Sequence, residues 1–324
     1  MKELDWKLFQ GDSETVLSGF PDEYFDCCVT SPPYYALRDY GVKGQIGLEN
    51  TPDEYIEKLV SVFREVRRVL KNDGTLWVNI GDTYAGSGKG AGGSGVSSGK
   101  QKTNKGSNFL GKQRPHFQYD CKPKDLIGIP WMLAFALRND GWYLRQDIIW
   151  SKPNPMPESV TDRCTKSHEY IFLFSKSPKY YFDNEAIKTD ANPLYADRYK
   201  YGFFYGEEKH GSDRINNAIN TSGIKQYSGK ANKRSVWNIP TNVAGYKDEN
   251  GAHYATYSTL LIEPCILAGC KENGTVLDPF NGSGTTGVCA LENGRNYVGI
   301  DLSEKYITIA TKRLRDITDQ QRLF

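Results

Sequence analysis

The stretch Thr275-Val276-Leu277-Asp278-Pro279-Phe280-Asn281-Gly282-Ser283-Gly284-Thr285-Thr286-Gly287 decides how the chain folds. Thr275 to Asp278 reads as a short strand and Thr285 to Glu292 as a helix, and the last six residues of the quoted stretch satisfy G-x-G-x-x-G. Glycines there allow a tight turn and close approach of a ligand to the backbone, and the helix start that follows favours anions. A second strand, Asn296 to Asp301, ends on a carboxylate at about the spacing at which such folds offer an acid to ribose hydroxyls. Glycines merely turning a strand–helix corner would not call for Asp301 there. Taken alone, the pattern suggests a dinucleotide.

After Asp301 only one helix remains, from about Ser303, so residues N-terminal to the glycine turn must supply the rest of the sheet. The domain is therefore expected to be circularly permuted. A dinucleotide fold would normally continue with several more strand–helix units, so a one-nucleoside cofactor fits better, and S-adenosylmethionine is the obvious candidate. Upstream, Thr51-Pro52-Asp53-Glu54 reads as a helix start, with Thr51 as N-cap, Pro52 in the first turn and Glu54 closing a capping box. Ile56, Leu59, Val60, Phe63, Val66 and Leu70 keep the 3.6 period to about Leu70. Lys71 to Gly74 is expected to stop that helix before a strand over Thr75 to Ile80. A further unit follows, helical from Trp131 to Arg138 and extended from Trp142 to Trp150. Alternation of this kind predicts an α/β, Rossmann-like, mostly parallel sheet.

The apolar run Phe25 to Thr30 leads into Ser31-Pro32-Pro33-Tyr34, a rigid turn at a strand end, where open α/β sheets place their chemistry. The two prolines remove two amide donors and leave their carbonyl oxygens to accept hydrogen bonds from something other than the chain. An amino group is the natural guest. Ser31 adds a hydroxyl acceptor and Tyr34 a flat face, so the four residues suit a planar base gripped through its exocyclic nitrogen. A plain Pro-Pro loop is the alternative.

With 324 residues the chain can bury a full core without staples, and a net charge of +2 does not mark a nucleic-acid binder. Any such binding must come from local segments. The seven cysteines include no CxxC pair and no His/Cys cluster at zinc-ligand spacing, which predicts reduced thiols, no metal and a cytoplasmic setting. Neither a membrane span nor a signal-peptide core is seen. Gly81 to about Lys124 is dominated by Gly, Ser, Lys and Asn, and its lysines Lys89, Lys100, Lys102, Lys105 and Lys112 suit a mobile basic flap over phosphates or a solvated linker. Between Asn184 and Trp237, Arg198, Lys200, Arg214, Lys225, Lys233 and Arg234 interleave with Tyr195, Tyr199, Tyr201, Phe203, Phe204, Tyr205 and Tyr227. Such a mix suits backbone neutralisation plus contact with bases, or an ordinary Tyr-rich lobe.

A Ser-Pro-Pro-Tyr element upstream of Asp-Pro-Phe-x-Gly-Ser-Gly resembles the DNA amino-methyltransferases of the permuted β class, and the likeness runs from Gln10-Gly11-Asp12 to Asp301-Leu302. The resemblance implies that Asp12 meets the adenine amino group of S-adenosyl-L-methionine and that Phe280 lies against the cofactor. It implies close backbone approach at Gly282 and Gly284, beside Thr285. Asp278 would face the methionine end, and Asp301, followed by Leu302, the ribose. His253 and Tyr257 fall in a stretch like the family's cofactor-carboxylate segment, with Ser258 where a proline is common. Arg38, and Lys152 with Asn154, resemble elements flanking the base pocket. The implied layout is a catalytic half over residues 1–183, a target-recognition region over 184–237 and a cofactor-binding half over 238–324.

An exocyclic amine is a poor nucleophile because its lone pair is delocalised into the ring. Hydrogen bonds to the Ser31 hydroxyl and the Pro32 carbonyl would localise that pair, with Pro33 stiffening the turn and Tyr34 stacked on the base. A paired base must flip out of double-stranded DNA to reach such a site. Ser at the head of the tetrapeptide points to N4-cytosine, and Asp would be the commoner mark of N6-adenine enzymes. The alternatives are N6-adenine methylation, a nicotinamide oxidoreductase and a non-catalytic DNA-binding module. Cys265, the one thiol suggestive of C5 chemistry, reads as a core cysteine before the glycine turn. A cognate restriction endonuclease as partner, and monomer against homodimer, are left open by the sequence.

Overall fold

The computed structural model describes residues 4–37, 39–85, 121–191, 229–241 and 257–321. The chain divides into a larger unit, Met1–Asp183 with Ser235–Phe324, and a smaller one, Asn184–Arg234. In chain order the larger unit begins with β1 (Trp6–Gln10), α1 (Ser13–Ser18), β2 (Phe25–Thr30), α2 (Pro52–Val69) and β3 (Leu70–Ile80). It continues with α3 (Ile129–Asn139), β4 (Tyr143–Ser151) and β5 (His168–Ser175). In the smaller unit β6 (Thr189–Asp190) pairs antiparallel with β7 (Lys230–Ala231). The chain then returns to the larger unit with β8 (Val236–Asn238), α4 (Thr259–Gly269), β9 (Thr275–Asp278), α5 (Thr285–Glu292), β10 (Asn296–Asp301) and α6 (Glu304–Gln321).

Eight strands form one Rossmann-like sheet in the order β1-β10-β9-β2-β3-β5-β4-β8. The first five run parallel, so strands from the C-terminal end of the sequence lie between two from the N-terminal end. β5 is antiparallel to both β3 and β4, and β8 adds to β4 in parallel. Val236–Asn238 thus belongs to the sheet, and the smaller unit ends three residues before Trp237. Asn184 Nδ2 donates to Asn232 Oδ1 at 2.8 Å, and with the β6–β7 pair this holds the two chain ends of that unit side by side.

Local sequence accounts for the elements that carry the site. All six residues of β2 are buried, as a central strand covered on both faces requires. Helix α2 starts where the capping residues predict: Glu54 N donates to Thr51 Oγ1 at 3.1 Å, while the Glu54 carboxylate accepts from Asn50 N at 3.0 Å, one residue upstream of the usual box. Tyr55, Leu59, Val62, Phe63, Val66 and Val69 form its buried stripe. The helix stops at Val69, and Leu70 to Gly74 already belong to β3, where a register shift against β2 between Phe25 and Cys27 absorbs the irregular start. Cys265 is fully buried in α4, a core thiol as expected. Among the described residues no helix is long and apolar enough to cross a membrane.

Candidate active site

Parallel strands deliver their C-terminal ends to one edge of the sheet, and β2, β9 and β10 bring the two sequence motifs together there. Thr30, the last residue of β2 and the neighbour of Ser31, donates to Asp278 Oδ1 at 2.6 Å. Asp278, the last residue of β9, also accepts from Phe280 N at 3.0 Å and from Thr286 Oγ1 at 2.6 Å. Tyr257 reaches the same carboxylate at 3.5 Å and shares a 2.5 Å bond with Thr286 Oγ1. Burial pushes the Asp278 carboxyl up to about 6 against the pull of the Thr286, Thr30 and Phe280 donors. A buried acid with a raised pKa and fixed donors suits a cationic guest, whose charge would favour the carboxylate.

The glycines of the turn do different things. Gly282 has φ +50, and a β-carbon there would meet only Phe280 O at 3.9 Å, so the backbone faces open space. Gly284 has φ +78, and its β-carbon would stand 2.9 Å from Ala310 Cβ, so its missing side chain admits α6. Gly282 N donates to Asp301 Oδ2 at 2.7 Å and Ser303 N to Asp301 Oδ1 at 2.8 Å. A carboxylate accepts about four hydrogen bonds, so Asp301 keeps capacity for two hydroxyls. Burial raises its pKa and the two amides oppose the rise.

The other residues of this half are placed as follows. Phe280 is half-buried, its ring 6.3 Å from that of Phe63. Thr285 is buried and accepts from Arg313 at 3.2 Å, and Leu302 is half-buried past the end of β10. Asp12 is exposed and caps α1 through Thr15 N and Thr15 Oγ1, both at 2.9 Å. A cleft of about 960 Å³ opens beside it, lined in part by Ile46, Glu49, Lys58 and Val62. These groups fit an aminoacyl nucleoside: an acid for an ammonium, an acid for ribose hydroxyls, and a side-chain-free turn between them.

Around the tetrapeptide, the Pro33 carbonyl accepts from Tyr55 OH at 2.8 Å, whereas among the described residues nothing donates to the Pro32 carbonyl. The Ser31 hydroxyl lies within hydrogen-bond reach of the Tyr34 phenol. That phenol donates to Glu169 Oε2 at 2.7 Å and stands 3.3 Å from Asn79 Oδ1. Its ring lies against Gly81, where a β-carbon would come within 2.7 Å of Cε2. Burial, then the Glu169 charge, holds the phenol well above the usual tyrosine range, so it stays a neutral donor. The other Glu169 oxygen accepts from Lys152 Nζ, which stands 4.3 Å over the Trp150 ring.

Lys152 therefore joins the tetrapeptide through Glu169, a residue no sequence motif singled out. Lys166 is a second cation missed by motif reading. It donates to the Asp82 carbonyl at 3.0 Å, and burial lowers its pKa against the pull of Asp82 and Glu169. Asn154 uses its side chain to clamp Thr241, accepting from Thr241 N at 2.8 Å and donating to Thr241 O at 3.3 Å. Lys233 and Arg234 close the smaller unit, half-buried and exposed respectively. Arg38, Arg198, Lys200, Arg214, His253 and most of the basic 81–124 segment lie outside the described residues.

Comparison with known proteins bears on the family and the fold. The model of a family described as DNA methylase, of the N6 and N4 type, matches residues 25–312. The chain is 46% identical over 308 residues to the type II methyltransferase M.SmaI of Serratia marcescens, spanning 95% of this chain and 90% of that one. It is 45% identical to M.Cfr9I of Citrobacter freundii over 95% and 87% of the two chains. Among solved structures, the PvuII cytosine-N4-specific DNA methyltransferase superposes with a TM-score of 0.61 at 18% identity, covering 98% of this chain and 92% of that one. A Thermus thermophilus protein complexed with S-adenosyl-L-methionine superposes with a TM-score of 0.57 at 21% identity, over 96% and 94% of the chains.

Proposed function

The chain belongs to the N6 and N4 DNA methylase family, and from that membership together with Ser31 at the head of the tetrapeptide we propose that it transfers the methyl group of S-adenosyl-L-methionine to the exocyclic N4 amine of cytosine, at a base turned out of double-stranded DNA. The observation that carries the reading is the hydrogen bond from Thr30 to Asp278, which seats an acceptor-rich Ser-Pro-Pro-Tyr turn beside the glycine turn. Membership leaves the oxidoreductase and the non-catalytic DNA-binding module without support.

The cofactor, when bound, supplies a methyl group on a sulfonium sulfur. Asp278 is read as the partner of its ammonium, Asp301 of its ribose, Gly282 as the point of close approach and Phe280 as an apolar wall, with Asp12 at the base end. The cofactor strands β9 and β10 follow the catalytic strand β2 in the sequence, which is the permuted order of this reading. On the substrate side, the Ser31 hydroxyl and the Pro32 carbonyl accept from the target amine and localise its lone pair, while the Tyr34 ring covers the base. Glu169 fixes that ring by accepting from its phenol, and Lys152 holds Glu169 in place. The smaller unit with its basic residues, including Lys233 and Arg234, serves as the target-recognition region. The likeness to type II methyltransferases supports a place in restriction–modification beside an endonuclease.

N6-adenine methylation is the second reading, since an adenine N6 amine would meet the same acceptors. Ser31 at the head of the turn favours cytosine. Incubation with labelled S-adenosyl-L-methionine and mixed-sequence duplex DNA, followed by nucleoside digestion and mass analysis, is expected to give N4-methylcytosine. N6-methyladenine would overturn the base assignment and leave the fold and cofactor reading intact. Ser31→Ala is expected to lower kcat by roughly 100-fold or more with cofactor affinity unchanged.

A further inference from the structure

A second cavity, of about 600 Å³, lies at the opposite end of the sheet. β4 runs nine residues from it toward Lys152, which puts roughly 25 Å between the cavity and the tetrapeptide edge. Its lining includes Arg67, Arg138, Trp142, Lys176 and Ser177, and no acidic side chain. Two donors on its lining side chains are closed off from solvent and have no partner: Arg67 Nε and the Nε1 of Trp142, a residue only 2% exposed. Native interiors leave few such donors unsatisfied, so two of them on the side chains of one cationic cavity mark a place where the protein does not satisfy its own donors.

The surrounding charges point the same way. Arg138 is held 4.8 Å over the Phe135 ring, and no ion pair involving Arg67 or Arg138 occurs among the described residues. Lys176 Nζ donates to the Leu70 carbonyl at 2.8 Å, and its nearest carboxylate, Glu23, is 3.9 Å away. Asp140, on the turn above, is already engaged by Arg64 at 2.5 Å. Burial lowers the Lys176 pKa against the pull of Glu23, and the neighbouring Arg67 adds to the lowering. Helix-end placement explains why cations sit in the last turns of α2 and α3, but it uses neither Arg67 Nε nor Trp142 Nε1.

We propose that this cavity binds a phosphate-class oxyanion, with the Arg67 and Arg138 guanidinium groups and Lys176 as donors and the Trp142 indole N–H brought into reach by a small side-chain shift on binding. Guanidinium forks match the geometry of phosphate oxygens. The distance from the tetrapeptide favours a free phosphate or a small phosphate ester over the backbone of the DNA being modified. The inference does not depend on which base is methylated.

The test is titration with inorganic phosphate against chloride at matched ionic strength, following the indole N–H resonance assigned to Trp142 through Trp142→Phe and the unfolding temperature. The Trp142 resonance is expected to shift saturably with phosphate and the unfolding temperature to rise by several degrees. Both responses are expected to vanish in an Arg138→Gln/Lys176→Gln variant shown folded by circular dichroism, with methylation activity retained. If duplex DNA produces the same Trp142 shift and the variant also binds DNA several-fold more weakly, the site stands and its phosphate belongs to DNA. No shift with phosphate or with DNA, or a shift unchanged in the double variant, overturns the proposal.

Discussion

Asp278 holds the two motifs together and is also the group whose charge a cofactor would change. Its carboxyl, pushed up to about 6 by burial, is protonated over a pH range in which an unfolded-state aspartate, near 3.9, is ionised. The stability it contributes is therefore fully present below about pH 4 and is lost as pH rises through about 6. Urea midpoints of wild type and Asp278→Asn should bear this out, the advantage of wild type shrinking between pH 4 and pH 6. Binding has the opposite sign, because an ammonium needs the ionised acid. With one group titrating near 6, cofactor affinity measured by calorimetry is expected to rise about tenfold from pH 5 to pH 7. A flat profile across that range would remove Asp278 from the cofactor site.

The strand–turn–helix element from β9 to α5 separates two uses of glycine that the motif alone does not distinguish. Gly284→Ala would press a β-carbon to 2.9 Å from Ala310 in a left-handed backbone, at a cost of about 1–3 kcal/mol. It is expected to lower the unfolding temperature and leave cofactor affinity close to wild type. Gly282→Ala has space around it, so stability should fall less, by about 1 kcal/mol of backbone strain, while cofactor affinity drops tenfold or more. Thermal unfolding and cofactor titration of both variants check the contrast. This element was legible in the sequence because β9, α5 and β10 are short, bounded by Gly, Pro and Asn, and periodic. β5 was not, because Tyr170 to Phe174 is a continuous apolar run without alternation, and its antiparallel direction is set by partners remote in sequence. The same limit applies to the site. Ser31 and Asp278 announce themselves by motif, whereas Thr30 meets Asp278 across 248 residues and Tyr34 meets Glu169 across 135, and no local pattern marks such pairs.

At the scale of the molecule, chemistry and recognition are assigned to different parts of the chain. The larger unit carries the whole tetrapeptide, the glycine turn and the Lys152–Glu169–Tyr34 chain of contacts, so it contains every group the proposed reaction uses. The smaller unit leaves and rejoins it at Asn184 and Arg234, and its ends are already fastened to each other through Asn184–Asn232, the β6–β7 pair and the Lys230–Asp190 ion pair at 2.6 Å. A segment whose ends are joined in this way can be exchanged without cutting the sheet. Replacing residues 184–234 by the corresponding segment of a family member that methylates a different site is expected to move the modified sequence to that of the donor. The methylated atom and the cofactor affinity are expected to stay those of the parent. Sequencing of methylated positions in a mixed DNA library, with nucleoside mass analysis of the product, reads both. Methylation still at the parental sequence would place recognition in the larger unit, and a changed product base would show that the smaller unit reaches the Ser31 pocket.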